Sequence, residues 1–286
     1  MTKRLKTVLT VAAISVLIIL ICLTVVFNID KIYVFGERWG LLCKPIAIKQ
    51  TSVDGLVQKS LDDLGEMDNV TVDQSLMLIN KQYRLDDGFV PQVSEYNSTT
   101  VYMNDCMIDA YAALSAAVRE RTGNKLYVSS DLRTKEEQEA LYRDDPLTAT
   151  EAGASEHQTG LALDVYVARF SGDAFIKSSS GRFVNSHSWE YGFIIRYPAY
   201  AEDVTGIRYE PWHIRYVGHP HADVIYNNHT TLEEYVQSLE IGKWYEIDGY
   251  LVCRQSLDGG KLTIPQSFDE CIISPDNLGN YIITVK

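Results

Sequence analysis

An α+β fold is predicted, with helices packed on a central, largely antiparallel sheet, an N-terminal transmembrane helix before it and a small β-rich appendix after it. Three features of the 286-residue chain carry this expectation. Near its start the chain carries an uncharged apolar run. Two later segments alternate polar and apolar residues. Beyond about Glu240 the texture becomes short, turn-separated and strand-like.

Val8 to Phe27 is apolar for about twenty residues, the length of a bilayer-spanning helix. Lys3, Arg4 and Lys6 precede it, so the positive-inside rule keeps residues 1–7 cytoplasmic and exports the rest of the chain. The run ends in Val25, Val26, Phe27, Asn28, with no small-x-small cleavage signal, so the reading is an uncleaved single-pass anchor rather than a signal peptide. More apolar residues come after Cys22, which argues against a lipid-attachment cysteine. Residues 28–72 are weakly periodic and read as a stalk, with a short helix over Leu56–Leu64.

The main domain is expected over residues 73–240. Ser75–Asn80 is a short apolar run, and Asp86-Asp87-Gly88 marks a turn. From about Asp105 to Arg121 the apolar spacing is helical, with Cys106, Ala110, Ala113, Leu114, Ala117 and Val118 on one face. Gly123 supplies the left-handed stop. Lys125–Ser129 reads as a strand. Thr134 and Glu137 then form a T-x-x-E capping box that starts a helix over Lys135–Tyr142. Arg133 therefore sits on a strand-to-helix turn, a common place for functional side chains.

The strands that matter most are Gly160–Val167 and Trp212–Val217. In the first, alternation opposes Ala162, Asp164 and Tyr166 to a face of Leu161, Leu163, Val165 and Val167. In the second, His213 and Arg215 oppose Trp212, Ile214 and Tyr216. Apolar faces packed on one core would turn Asp164 and His213 toward a common cleft. Residues 241–286 form the β-rich appendix, where Asp248-Gly249 between Trp244–Ile247 and Tyr250–Arg254 is a strong hairpin signal.

The formal net charge of −12 excludes a general nucleic-acid binder, which needs clustered Lys and Arg; a well-hydrated surface accounts for it. Outside the span lie Cys43, Cys106, Cys253 and Cys271, none in a C-x-x-C pair. Cys253 and Cys271 are near enough in sequence to bridge, or to be separate buried thiols.

The chemistry concentrates in Ser155-Glu156-His157-Gln158-Thr159-Gly160-Leu161-Ala162-Leu163-Asp164 and in Glu210-Pro211-Trp212-His213-Ile214-Arg215-Tyr216-Val217-Gly218. The imidazoles of His157 and His213 and the carboxylates of Asp164 and Glu210 are on offer. Three nitrogen or oxygen ligands with an open position suit a catalytic zinc, and a fourth group can serve as base. The spacing alone leaves open the blander reading, in which each His is a hydrogen-bonded structural residue and each acid a cap.

These motifs, S-x-H-x-x-G-x-A-x-D and then E-x-W-H-x-R, resemble the signature of the zinc D-alanyl-D-alanine carboxypeptidases of the vancomycin-resistance VanY type, relatives of D,D-dipeptidases and L,D-carboxypeptidases. Asn80-Lys81-Gln82-Tyr83 with Gly88-Phe89-Val90-Pro91, Ser129–Arg133 with Gln138, Trp189-Glu190-Tyr191-Gly192-Phe193, Arg196-Tyr197-Pro198 and Leu232-Glu233-Glu234-Tyr235 extend the resemblance from about Asp73 to Glu240. Leu132 stands where the family often has an aromatic. The resemblance implies His157, Asp164 and His213 as zinc ligands and Glu210 as base. It implies Arg133 as stabiliser of the scissile carbonyl oxygen or holder of a substrate carboxylate, with Ser155 and Gln138 on the substrate. His187, His219, His221 and His229 are read as surface or structural.

The implied activity is a metal-dependent carboxypeptidase that acts without serine acylation, so penicillin should not inhibit it. It would remove the terminal D-Ala of peptidoglycan stem pentapeptides and thereby contribute to glycopeptide resistance. Its partners would be a peptidoglycan precursor or muropeptide ending in D-Ala and the membrane. The alternatives are an L,D-carboxypeptidase trimming tetrapeptides and a wall-binding protein that keeps zinc without turnover. Pro211 forbids a helical arrangement of Glu210 and His213, so a bend near Pro211 is expected to bring Glu210 back toward the metal.

Overall fold

The computed structural model describes residues 3–146 and 149–286. Met1 and Thr2 of the expected tail lie outside the described residues. Helix α1 (Lys3–Phe27) contains the stretch Leu9–Phe27, long and apolar enough to cross a membrane. Helix α2 (Ile29–Arg38) comes almost at once after it.

Residues 28–72, expected as a stalk, form strands β1 (Lys49–Thr51), β2 (Leu56–Ser60) and β3 (Val70–Val72) around helix α3 (Leu61–Gly65). The helix expected over Leu56–Leu64 is thus a strand that turns into a short helix at Ser60. The Ser60 hydroxyl and the Asp63 carboxylate make a capping box there. β1, β2 and β3 pair with C-terminal strands and belong structurally with the appendix.

The domain then runs through β4 (Val93–Glu95), β5 (Tyr102–Asn104), α4 (Ile108–Thr122), β6 (Tyr127–Ser130), α5 (Lys135–Asp144), β7 (Ala162–Tyr166), α6 (Ser179–His187), β8 (Phe193–Ile195), α7 (Glu202–Thr205), β9 (His213–Tyr216), α8 (His221–Asn227) and α9 (Leu232–Ser238). It closes with β10 (Trp244–Ile247), β11 (Tyr250–Gln255), β12 (Lys261–Pro265), β13 (Cys271–Pro275) and β14 (Tyr281–Val285).

The expected central sheet is present. Its order is β6-β7-β9-β8, with every pairing antiparallel. Leu163, Val165 and Ile214 turn to the core, where they meet Tyr111, Leu114 and Val118 of α4. The buried stripe of α4 is offset from the expected one: Ala113 is exposed and Met107 and Tyr111 are buried. Gly123, with φ of 76°, ends the helix in the left-handed conformation.

A second sheet has the order β1-β10-β11-β14-β13-β3. Its β10–β11 hairpin turns through Asp248 and Gly249, both with positive φ, as a type I′ turn requires. β12 pairs with β2 beside it. Val252 and Ile282 pack on Ala222, Val224, Tyr235 and Val236 of α8 and α9, so the appendix shares a core with the domain. Cys253 and Cys271 are separate buried thiols. β14 runs between their strands; strands about 4.8 Å apart put the two sulfurs beyond bridging reach.

Candidate metal centre

Asp164 of β7 and His213 of β9 are direct register partners in the sheet. That register is what carries both polar residues to the same side, because facing residues on adjacent strands share a face. His157 comes from the 3₁₀ turn Glu156–Thr159 just before β7. The turn closes on Gly160 with φ of 70°. A Cβ at Gly160 would lie 2.6 Å from Val93 Cγ1, so the glycine permits both the turn and the close packing of β4.

The donor atoms converge. His157 Nε2 lies 3.4 Å from Asp164 Oδ2, and His213 Nδ1 lies 3.1 Å from Asp164 Oδ1. One ligand atom from each of the three residues falls within 4.8 Å of the others. Asp164 Oδ1 is buried and has no hydrogen-bond partner among the described residues, although a ring nitrogen is 3.1 Å away. Three donor atoms converging this closely fit ligands aimed at a common point. The residues fit a metal such as zinc on donor type as well.

His157 is held from behind by a hydrogen bond, and His213 is faced from behind by a carboxylate. His157 Nδ1 donates to the Asp131 carbonyl at 2.8 Å, which leaves Nε2 as the unprotonated ligand nitrogen. His213 directs Nε2 at Glu156 Oε2, 3.7 Å away, and faces the centre with Nδ1. Burial lowers the pKa of His157, more than the adjacent Asp164 raises it. Burial also opposes a charge on His213, yet the carboxylates of Asp164 and Glu156 prevail and push its pKa up to about 9. Asp164 is held well below the ordinary carboxylate range by the two histidines, against its own desolvation.

Glu210 is brought back to the centre as expected. The His213 amide donates to the Glu210 carbonyl at 3.1 Å, which makes residues 210–213 a tight turn through Pro211. Glu210 Oε2 then lies 3.9 Å from His213 Nδ1. Burial raises its pKa, and His213 pulls it down by less.

Arg133 reaches the same cleft. Its two terminal nitrogens donate to Gln138 Oε1 at 2.7 Å and to Ser130 Oγ at 2.8 Å. Gln138 in turn donates to the Thr150 carbonyl at 2.6 Å. Arg133, Gln138, Ser155, His157, Asp164, Tyr197, Glu210, Trp212 and His213 line one cavity of about 220 Å³. The other histidines stand apart. His187 pairs with Glu190, His219 with Asp223, and His221 and His229 bond within the fold.

The motif reading gave no role to Glu156. It is fully buried, and its Oε1 accepts from Arg196 Nε at 2.7 Å and from an Arg215 terminal nitrogen at 2.6 Å. Arg196 also forks onto both oxygens of Glu233, at 2.8 and 2.6 Å. Only Arg215 carried a signal, as a charged residue on a strand between apolar Ile214 and Tyr216; Glu156 lies in the 3₁₀ turn and Arg196 just past β8.

The D-alanyl-D-alanine carboxypeptidase (VanY) family profile matches residues 100–219. The bifunctional D-Ala-D-Ala dipeptidase and D-Ala-D-Ala carboxypeptidase VanXYC of Enterococcus gallinarum is 34% identical over 178 residues, which cover 56% of this chain and 93% of that protein. Two solved structures are similar. One is a point mutant of the D,D-pentapeptidase VanY from a VanB-type resistance cassette, in complex with Zn(II). It has a TM-score of 0.50 and 29% identity, over 57% of this chain and 98% of that one. The other is the LD-carboxypeptidase LdcB, with a TM-score of 0.53 and 32% identity, over 61% of this chain and 93% of that one. The chain belongs to the VanY-type D-alanyl-D-alanine carboxypeptidase family.

Proposed function

We propose that the chain is a membrane-anchored, zinc-dependent D,D-carboxypeptidase that removes the C-terminal D-Ala from peptidoglycan stem pentapeptides on the outer side of the membrane. The observation that carries this is the convergence of His157, Asp164 and His213 with Glu210 folded back beside them. His157 Nε2, an Asp164 oxygen and His213 Nδ1 would hold the ion. Bound zinc supplies a Lewis acid for the scissile carbonyl and lowers the pKa of water.

Glu210 takes the proton of the attacking water and delivers it to the leaving amine. Its raised pKa suits both halves of that task. Arg133 offers its guanidinium to a substrate carboxylate or to the scissile carbonyl oxygen. Gln138 and Ser130 brace it, so its direction is set before substrate arrives. Ser155 lines the same cavity, within reach of a bound peptide. Loss of the terminal D-Ala removes the ligand of vancomycin-type antibiotics, so resistance is the physiological consequence.

The likeness to LdcB favours a second reading, in which tetrapeptides are the substrate. The full chain in detergent, incubated with pentapeptide and tetrapeptide muropeptides and read by mass spectrometry, separates the two. Loss of one D-Ala from the pentapeptide alone is expected. It should stop on chelation, return with zinc, and be indifferent to penicillin. Cleavage of the tetrapeptide alone replaces the proposal with the second reading, and cleavage of neither makes the chain a binding protein.

A further inference from the structure

Helix α2 leaves much of its large apolar surface uncovered, with Ile32 bordering a groove beside Phe183 and Phe35 one beside Ile176. Its inner face carries the partly buried Tyr33 with Gly36 and Glu37: Gly36 is buried, the Glu37 carboxylate accepts from the Ala199 amide at 3.4 Å, and the Glu37 carbonyl accepts from His229 Nε2 at 2.7 Å. The outer face carries Ile32, Phe35 and Trp39, with Leu42 just beyond, and these are 51%, 60%, 66% and 47% exposed. Spacings of three and four place Ile32, Phe35 and the C-cap Trp39 in one stripe, while Leu42 follows the left-handed turn at Gly40. Lys31 and Arg38, both exposed, lie seven residues apart along one edge of it.

An apolar stripe edged by cations is the pattern of a helix lying in a membrane interface. Trp39 suits the headgroup level, and Lys31 and Arg38 would meet anionic lipid. Position points to the same occupant. The stripe begins five residues after Phe27, where the apolar span ends. A bilayer that holds α1 is already against α2.

We propose that the outer face of α2 is seated in the outer leaflet, with the inner face docked on the catalytic domain. This rests on the reading of α1 as a membrane span. The seating would orient the cleft. Tyr197, whose ring centroid is 4.9 Å from that of His213, is two residues from Ala199, which bonds α2. The cleft is therefore held close to the bilayer surface, which selects stem peptides still linked to lipid over those in distant wall.

The test uses the full chain in vesicles of phosphatidylcholine and phosphatidylglycerol whose acyl chains are brominated near the headgroup. The emission lost on Trp39→Phe isolates Trp39. Bromolipid should quench that component roughly twofold or more, and aqueous acrylamide should barely touch it, as for an interfacial residue. If the chain withstands alkaline carbonate washing but Trp39 is quenched by acrylamide and not by bromolipid, the seating is overturned and the anchor stands. Shielding from both quenchers means that a protein surface, such as a second copy, covers the stripe, and overturns it too. Release of the chain by carbonate removes the anchor and the proposal together.

Discussion

At the scale of single residues, Glu156 and Glu210 are two carboxylates near one imidazole with opposite surroundings. Glu156 is enclosed by two guanidiniums and kept ionised well below the ordinary carboxylate range, against its own burial. Among the described residues no guanidinium pairs with Glu210, and burial raises it. In the proposed mechanism Glu156 stays charged beside His213, and Glu210 exchanges a proton. Glu210→Ala should therefore cost at least about a hundredfold in turnover and leave metal content unchanged by atomic absorption. A variant stripped of metal would make Glu210 a ligand. Glu156→Gln keeps the shape but removes the charge that faces His213 at 3.7 Å and that pairs Arg196 and Arg215. It should lower metal affinity by about ten- to a hundredfold, measured by competition with a chelating dye. His157, Asp164, His213 and Glu210 were legible because their motifs are short and their residue types are metal ligands. Glu156 was not, because a buried charge and a surface charge look alike until Arg196 and Arg215 are brought to it by folding.

At the scale of elements, what assembles the cleft is the β7–β9 register, and the Arg196–Glu156–Arg215 and Arg196–Glu233 pairs lock that register to the loop before β7 and to α9. Breaking such a buried pair from one side strands the other charges. Arg196→Met should destabilise the fold by about 3–5 kcal/mol, read as a shift in chemical denaturation midpoint. Another junction is neutral. His221 of α8 bonds Tyr235 of α9 at 2.7 Å and Thr284 of β14 at 2.9 Å. Burial, aided by His219, pushes its pKa down to about 3. The unfolded imidazole protonates near its ordinary 6.5 and the folded one does not, so stability is full above about pH 6.5 and falls as pH drops toward 3. The slope approaches about 1.4 kcal/mol per pH unit for one proton. His221→Gln should flatten the acid limb in that window, and an unchanged limb would show that other groups dominate it. The strands of the catalytic sheet could be read because alternation over five to eight residues is a strong local signal. The Asp248-Gly249 hairpin could be read because its turn needs those residues.

At the scale of the whole molecule, the chain order conceals how its two ends meet. β1 and β3 are three residues each and β2 is five, too short for periodicity to register, and their partners lie some two hundred residues away. That is why residues 28–72 read as a stalk. In the fold, β1 covers one edge of the six-stranded sheet at β10, β3 covers the other at β13, and β2 occupies β12. Leu64 of α3 is completely buried among Trp244, Cys253, Leu262 and Ile283. Removing residues 1–72 would uncover two sheet edges, an invitation to aggregation, and would leave a hole where Leu64 sat. The same sheet shares its core with α8 and α9, so the damage would not stay in the appendix. A chain beginning at Asn28 should melt cooperatively. A chain beginning at Asp73 should be insoluble or melt without a sharp transition, by differential scanning calorimetry. If the shorter chain instead melts within about 2 °C of the longer one, a difference worth no more than about 1 kcal/mol, the N-terminal strands are accessory and residues 73–286 are the self-sufficient unit.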